Sequence, residues 1–203
     1  MTISIITPWL NNSQLCRTYE PSVKGAEVII VDNGSEPAHA AMLAGMVRRL
    51  GGVLVRNEDN RGFAAANNQG LQVATGDIVV FLNNDIEAPA PAWLEQVERD
   101  TEAGVLAGPS LQYRHGIAYI EGYCIAGRRE VWEQLGGWPA DLPGMYWEDN
   151  ILCLQAQRAG IKLKQTNWPV WHFSNYTSRQ TPGAYDHSAA NERIFLEMLT
   201  CAS

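Results

Sequence analysis

An apolar run, Ile78-Val79-Val80-Phe81-Leu82, stops abruptly at Asn83-Asn84-Asp85. An uninterrupted stretch of β-branched and aromatic residues reads as a buried strand. Leaving the polar trio unpartnered beyond it would cost about 1–3 kcal/mol per group. The trio therefore belongs at the strand's carboxyl end, facing the crevice in which open α/β sheets bind ligands. There Asp85 could hold a divalent cation and, through it, a diphosphate; the competing reading is an Asn-Asn-Asp turn. Asp32 closes a second apolar run, Val28 to Val31, with Gly34 permitting a sharp turn. A carboxylate there can accept hydrogen bonds from a base or ribose, and Arg61, beside Gly62 at a helix start, can neutralise phosphate. Singly, Asp32 reads as a turn residue and Arg61 as a solvated charge; placed at one edge, they outline a nucleotide site. Glu148-Asp149 either cap a helix start or supply a general base toward an acceptor hydroxyl. His172, between Trp171 and Phe173, is either a satisfied core histidine or a further metal ligand beside Asp85.

The elements that must position these residues follow from pattern. Strands are expected over 3–7, where Pro8 should end the ladder, and over 27–31, 53–55 and 77–82. Between them lie a short helix capped by Asn11-Asn12-Ser13, a helix over 38–50 ended by Gly51-Gly52, and an Ala-rich helix over about 63–74. The small residues of that last helix allow close approach to a sheet. Asn67 and Asn68 lie in its middle. A helix over about 92–103 completes a β-α-β-α-β-α-β-α order, which predicts a mainly parallel, layered α/β sheet. The remainder is less regular. Strands are expected over 105–111, 119–126, 162–165 and 170–173. Helices are expected over 128–135, from Trp147 to about 159, and over 187–199, with a polar loop at 174–184.

The chain has 203 residues, 46% of them hydrophobic and 18% charged, which fits one globular domain with a substantial core. Residues 1–109 are expected to form a nucleotide-sugar-binding half and 110–203 an acceptor-binding and catalytic half. No apolar run approaches the roughly 20 residues of a membrane span. Met1-Thr2-Ile3-Ser4 lacks the basic region of a signal peptide. Cys16, Cys124, Cys153 and Cys201 form no CxxC pair, so reduced thiols and a cytoplasmic setting are expected. Net charge is −7, of which −6 falls in residues 1–109 and −1 in 110–203. The overall sign disfavours a polyanionic partner. The cations of the second half (Arg128, Arg129, Arg158, Lys162, Lys164 and Arg179) keep a nucleic-acid acceptor behind a glycan. No GxGxxG follows the first strand and no GxxxxGK[ST] is present, which counts against dinucleotide-binding and P-loop chemistry.

The ordered set resembles family 2 glycosyltransferases, especially their rhamnosyltransferase-like branch. The match runs from Asp32-Asn33-Gly34-Ser35 through Asn60-Arg61-Gly62-Phe63 and Gly76-Asp77 to Asn83-Asn84-Asp85. It continues through Leu135-Gly136-Gly137-Trp138 and Trp147-Glu148-Asp149 to Trp171-His172. The resemblance covers roughly residues 2–178. It implies a GT-A nucleotide-diphospho-sugar transferase fold, a UDP- or dTDP-sugar donor, Mn²⁺ or Mg²⁺, and inversion at the anomeric carbon. Carried over by position, Thr7, Pro8 and Asp32 line the nucleotide base, and Arg61 and Gly62 form a nucleotide-contacting loop. Asn83-Asn84-Asp85 occupies the DxD position, with Asp85 meeting the metal and His172 a further ligand. Asp149 is the catalytic base and Glu148 its acceptor-side neighbour. Two departures stand out: Asn83 replaces the first Asp, and Glu121-Gly122-Tyr123 stands where a small Ser-Gly-Ala-like stretch is usual. A non-catalytic nucleotide-sugar-binding module is the alternative. A nucleotidyltransferase comes behind it, because no Gly-rich, basic loop follows the first strand.

Overall fold

The computed structural model describes residues 1–142, 146–173 and 186–201. In chain order the first half runs β1 (Ile3–Trp9), a 3-10 turn (Ser13–Leu15), α1 (Cys16–Ser22), β2 (Glu27–Asn33), α2 (Pro37–Leu50), β3 (Val53–Asn57), α3 (Phe63–Val73), β4 (Ile78–Leu82), β5 (Ile86–Glu87) and α4 (Ala92–Asp100). The second half runs β6 (Val105–Gly108), β7 (Leu111–Arg114), β8 (Ile117–Ile120), β9 (Cys124–Arg128), α5 (Arg129–Leu135), α6 (Glu148–Arg158), β10 (Lys162–Gln165), β11 (Trp171–His172) and α7 (Ser188–Thr200).

Seven strands form the main sheet in the order β10-β6-β9-β4-β1-β2-β3. All pairs are parallel except those of β9, which is antiparallel to both β4 and β6. Alternation along the strands sends residues to two cores. Ile5, Ile30, Val80 and Leu82 face one layer with Leu43 and Met46 of α2 and Trp93 of α4. Ile6, Ile29, Val79 and Phe81 face the other, with Ala66 of α3, Trp132 of α5 and Leu152 of α6. Helix α3 lies close to the sheet because it is built of small residues. A Cβ on Gly70 would stand 2.3 Å from Ile6 Cγ2.

Several boundaries differ from those expected. β1 continues through Pro8 to Trp9: it pairs with β2 as far as Trp9↔Asp32 but with β4 only as far as Ile6↔Phe81. Beyond Ile6 one side of the strand is open, which is where a proline is tolerated. The strands expected over 105–111 and 119–126 are four shorter ones. Between β6 and β9 stands a hairpin, β7 paired with β8 from Leu111↔Ile120 to Arg114↔Ile117. Its two-residue loop is His115-Gly116, with φ of 49° and 79°, the paired left-handed geometry that matches strand twist. The strand expected over 170–173 is the two-residue β11, which pairs with β5 in a separate small sheet. The polar loop at 174–184 lies outside the described residues.

Candidate active site

The parallel strands β1, β2, β3 and β4 end together, and their carboxyl edge opens on a cavity of about 320 Å³. Pro8 and Trp9 from β1, Asn33 from β2 and Asn83 to Asp85 after β4 line it. Because β9 runs the opposite way, the segment leading into it, Glu121 to Tyr123, reaches the same edge. The backbone N–H of Asn83 donates to the carbonyl of Tyr123 at 2.8 Å, fastening the two segments. Helix α6 presents Glu148, Asp149 and Asn150 from its first turn, and β11 presents His172.

At the Asp85 corner, β11 pairs with β5 so that His172 lies opposite Ile86, and the Phe173 N–H donates to the Asp85 carbonyl at 2.9 Å. Residues 87 apart in sequence are thereby brought into contact: His172 Nε2 and Asp85 Oδ1 are 3.1 Å apart. Asn83 Nδ2 lies 3.4 Å from the same Nε2. The Tyr123 ring stacks on the His172 ring, with centroids 4.4 Å apart and planes within 9°. Among the described residues no group of three His, Cys, Asp or Glu side chains is placed to hold a metal ion. Asp85 and His172 would therefore hold a divalent cation as a pair, leaving its other positions to ligand oxygens. One carboxylate oxygen and one imidazole nitrogen 3.1 Å apart on the cavity wall fit that arrangement.

At the other acid cluster, Asp149 Oδ2 accepts from the Gly122 N–H at 3.0 Å and Oδ1 from the Asn150 N–H at 2.9 Å. Burial pushes the Asp149 carboxyl up from its ordinary pKa, against the pull of those two N–H groups and of Arg114. Burial, aided by the neighbouring Asp149 charge, pushes Glu148 up to about 7, against the pull of its own N–H and that of Tyr146. Two consecutive residues with left-handed backbone, Tyr146 (φ 76°) and Trp147 (φ 75°), turn the chain into α6. Neither is glycine, and such conformations cost about 1–3 kcal/mol each and collect at functional sites.

At the carboxyl ends of β2 and β3 an amide network joins these strands to the start of α3. Asn33 Nδ2 donates to Asn60 Oδ1 at 2.8 Å and to the Gly62 carbonyl at 3.2 Å; Asn33 Oδ1 accepts from the Arg61 N–H at 3.1 Å and from Asn57 Nδ2 at 2.9 Å. Gly34 allows this approach. A Cβ there would stand 2.7 Å from the Asp59 backbone, and φ is +89°. Pro8, Asn83, Asn84, Asp85, Glu148, Asp149 and His172 thus meet around one cavity. Thr7, Asp32, Arg61 and Gly62 do not line it. Thr7 is buried and bonded to the Tyr19 hydroxyl. Asp32 is buried, accepts from the Ser35 N–H at 2.9 Å and pairs with Arg56. The Arg61 side chain is exposed and lies 3.5 Å from Asp59. Gly62 caps α3 and donates its N–H to Asn60 Oδ1 at 3.0 Å.

The cavity also includes residues that sequence reasoning missed. Arg114 and Tyr119 arrive on the β7–β8 hairpin, with the Arg114 guanidinium 4.6 Å over the Trp147 ring. The signal for them was the His115-Gly116 pair between segments rich in aromatic and β-branched residues. Several cations of the second half are engaged by nearby oxygens. Arg129 donates to the Gly76 carbonyl, Arg158 to that of Met198, and Lys164 to Asp100 and Glu102.

Compared with known proteins, residues 4–116, over half of the chain, match the model of glycosyl transferase family 2. The chain belongs to that family. Its similarity to an uncharacterized protein of Sinorhizobium fredii is 24% identity across 87% of this chain and 25% of that one. To an uncharacterized glycosyltransferase of Bacillus subtilis it is 35% across 43% of this chain and 24% of that one. To the pre-mycofactocin glycosyltransferase of Mycobacterium tuberculosis it is 32% across 47% and 20%. The chain spans about a quarter or less of the length of these curated relatives. Among solved structures, a mannosyltransferase of Pyrobaculum calidifontis in complex with GDP-Man and Mn²⁺ matches with a TM-score of 0.67 at 23% identity, over 81% of this chain and 54% of its own. GalNAc-T7 with UDP, GalNAc and Mn²⁺ matches with a TM-score of 0.76 at 16% identity, over 97% and 48%. These likenesses establish that this family 2 chain has the GT-A α/β fold.

Proposed function

We propose that this family 2 chain transfers a sugar from a nucleoside diphosphate to an acceptor hydroxyl, with inversion at the anomeric carbon. The reading is carried by one observation: the Asp85–His172 pair and a backbone-anchored Asp149 line the same cavity. Asp149 takes the proton of the acceptor hydroxyl as its oxygen bonds to the anomeric carbon and the carbon–oxygen bond to the diphosphate breaks. Attack opposite the leaving group inverts that centre. The raised proton affinity of Asp149 suits it to this work, because a stronger base draws the proton more effectively once ionised. Asp85 and His172 would hold Mn²⁺ or Mg²⁺, which would supply Lewis-acid stabilisation of the departing diphosphate. Asn83 and Asn84 flank that position, and Arg61 neutralises phosphate from the loop before α3. Pro8 and Asn33 bound the nucleoside, with Thr7 and Asp32 acting from behind through Tyr19 and the Ser35 turn. A UDP- or dTDP-sugar is the preferred donor and a glycan hydroxyl the preferred acceptor.

The test is a thermal-shift screen of UDP-, dTDP- and GDP-sugars with and without Mn²⁺, since a ligand that binds the folded state raises its melting temperature by mass action. One donor class should stabilise the protein, and only with the metal present. Asp149→Asn should retain that shift while losing transfer by a factor of at least about 100, the lower range for general-base catalysis. Transfer at the wild-type rate by Asp149→Asn would remove the assigned base.

A further inference from the structure

The strand that carries His172 is weakly anchored. β11 is two residues long and pairs with β5 alone. Its flanks, Trp171 and Phe173, are 57% and 46% exposed, so neither pins the strand by burial. The χ2 torsion of a histidine is broad by itself, so the backbone leaves the imidazole plane unset. Tyr123 supplies what is missing. Its ring lies within 9° of the His172 plane, with centroids 4.4 Å apart. An imidazole covered on one face cannot turn about χ2 without driving its edge into the covering ring. Tyr123 is itself well held. It packs against the core on one side of the main sheet, and its carbonyl accepts from the Asn83 N–H at 2.8 Å. The residues before it are tied as well, the Gly122 N–H to Asp149 Oδ2 and the Glu121 N–H to the Ser110 carbonyl, each at 3.0 Å.

We propose that Tyr123 is a positioning residue: its ring sets the His172 imidazole with Nε2 toward Asp85, so that a divalent cation meets two side chains already in place. The proposal rests on the reading of Asp85 and His172 as the metal pair. Of the three side chains that meet at this corner, Asp85, Asn83 and His172, only Asp85 is an acid. With a single carboxylate, affinity depends on the imidazole being ordered before the cation arrives. Freedom that a side chain loses on binding weakens the binding, and groups that orient a ligand from behind typically govern about 10–100-fold of metal affinity.

The test uses the full chain and two measurements. The first is NMR of the metal-free wild type, with the His172 imidazole C–H resonances assigned by their absence in His172→Gln. A ring stacked on the imidazole should move these resonances upfield before any cation is added; ordinary positions would overturn the proposal without need of a Tyr123 variant. The second is titration with Mn²⁺ in the presence of UDP, read by electron paramagnetic resonance and corrected for the Mn²⁺–UDP complex measured without protein. Tyr123→Leu should lose the upfield shift and bind Mn²⁺ roughly tenfold more weakly. Tyr123→Phe, which keeps the ring and lacks the hydroxyl, should match the wild type in both. A purely structural role would lower the urea midpoint of Tyr123→Leu and leave the Mn²⁺ affinity of the folded protein unchanged, and that result would overturn the proposal. Weakening by Tyr123→Phe equal to that by Tyr123→Leu would overturn it too, by assigning the effect to the hydroxyl. If the wild type binds Mn²⁺ more tightly than His172→Gln and Tyr123→Leu matches the wild type, only this inference falls. If wild type and His172→Gln take up Mn²⁺ alike, the metal pair falls and this inference with it.

Discussion

Two adjacent carboxyls in the first turn of α6 meet different environments, and their chemistry divides accordingly. Asp149 is braced by two backbone N–H groups that oppose the effect of burial. Glu148 is opposed by its own N–H and that of Tyr146, yet burial, aided by the Asp149 charge, pushes it up to about 7. An unfolded glutamate ionises near 4.5, so between about pH 4.5 and 7 the unfolded chain releases this proton before the native one does. Glu148 therefore stabilises the fold fully below pH 4.5, and that contribution is lost as pH rises through 7. With each decade of proton affinity worth about 1.4 kcal/mol, the loss is about 3 kcal/mol. Glu148→Gln should remove it. Urea denaturation at pH 8 should find the variant more stable than wild type, with the gap closing below pH 5; parallel pH curves for the two proteins would refute the assignment. At this scale the sequence was informative about acids and histidine, whose types announce chemistry. Asp32 shows the limit: its position after β2 was legible, but its commitment to Arg56 was not, because that contact depends on the register of β2 with β3. Asn150 carried no signal at all, since an asparagine in a helix is ordinary until its neighbours are known.

Helices and strands here act as carriers that bring distant residues to one edge. The four parallel strands of the first half were legible because each is a short apolar run closed by turn residues. The reversed strand β9 was not, since direction leaves no mark in composition. Yet its reversal brings Glu121, Gly122 and Tyr123 into the cavity. Asn68, unexplained in mid-helix, turns out to clasp the following loop. Its Oδ1 accepts from the Trp138 N–H at 2.8 Å and its Nδ2 donates to the Trp138 carbonyl at 2.9 Å. The Trp138 ring in turn meets Phe63 and Phe81 edge-on, with centroids at 5.1 and 5.5 Å. Asn68→Ala should cost about 1–2 kcal/mol, the loss of both bonds being partly offset by the better helix propensity of alanine. The expected observation is a lower urea midpoint with an unchanged m-value. A midpoint within error of wild type would mean that the aromatic contacts alone hold the loop.

At the scale of the whole molecule, a layered sheet with helices on both faces leaves its carboxyl edge open, and the later segments close around that opening. No helix among the described residues is long and apolar enough to cross a membrane. The arrangement has an optical consequence. Of the seven tryptophans, Trp9 and Trp147 line the cavity, Trp9 at the end of β1 and Trp147 at the start of α6 beside Asp149. Trp93, Trp132, Trp138 and Trp168 are buried elsewhere, and Trp171 is exposed. Intrinsic fluorescence should thus report the two substrates separately. Titration with UDP should quench emission through Trp9, so that Trp9→Phe loses most of the response. A glycoside added afterwards should act through Trp147 and leave no response in Trp147→Phe. Equal loss of both responses in either variant would place the two ligands against the same wall. The chain carries its own pair of emitters, one for each side of the bond it is proposed to make.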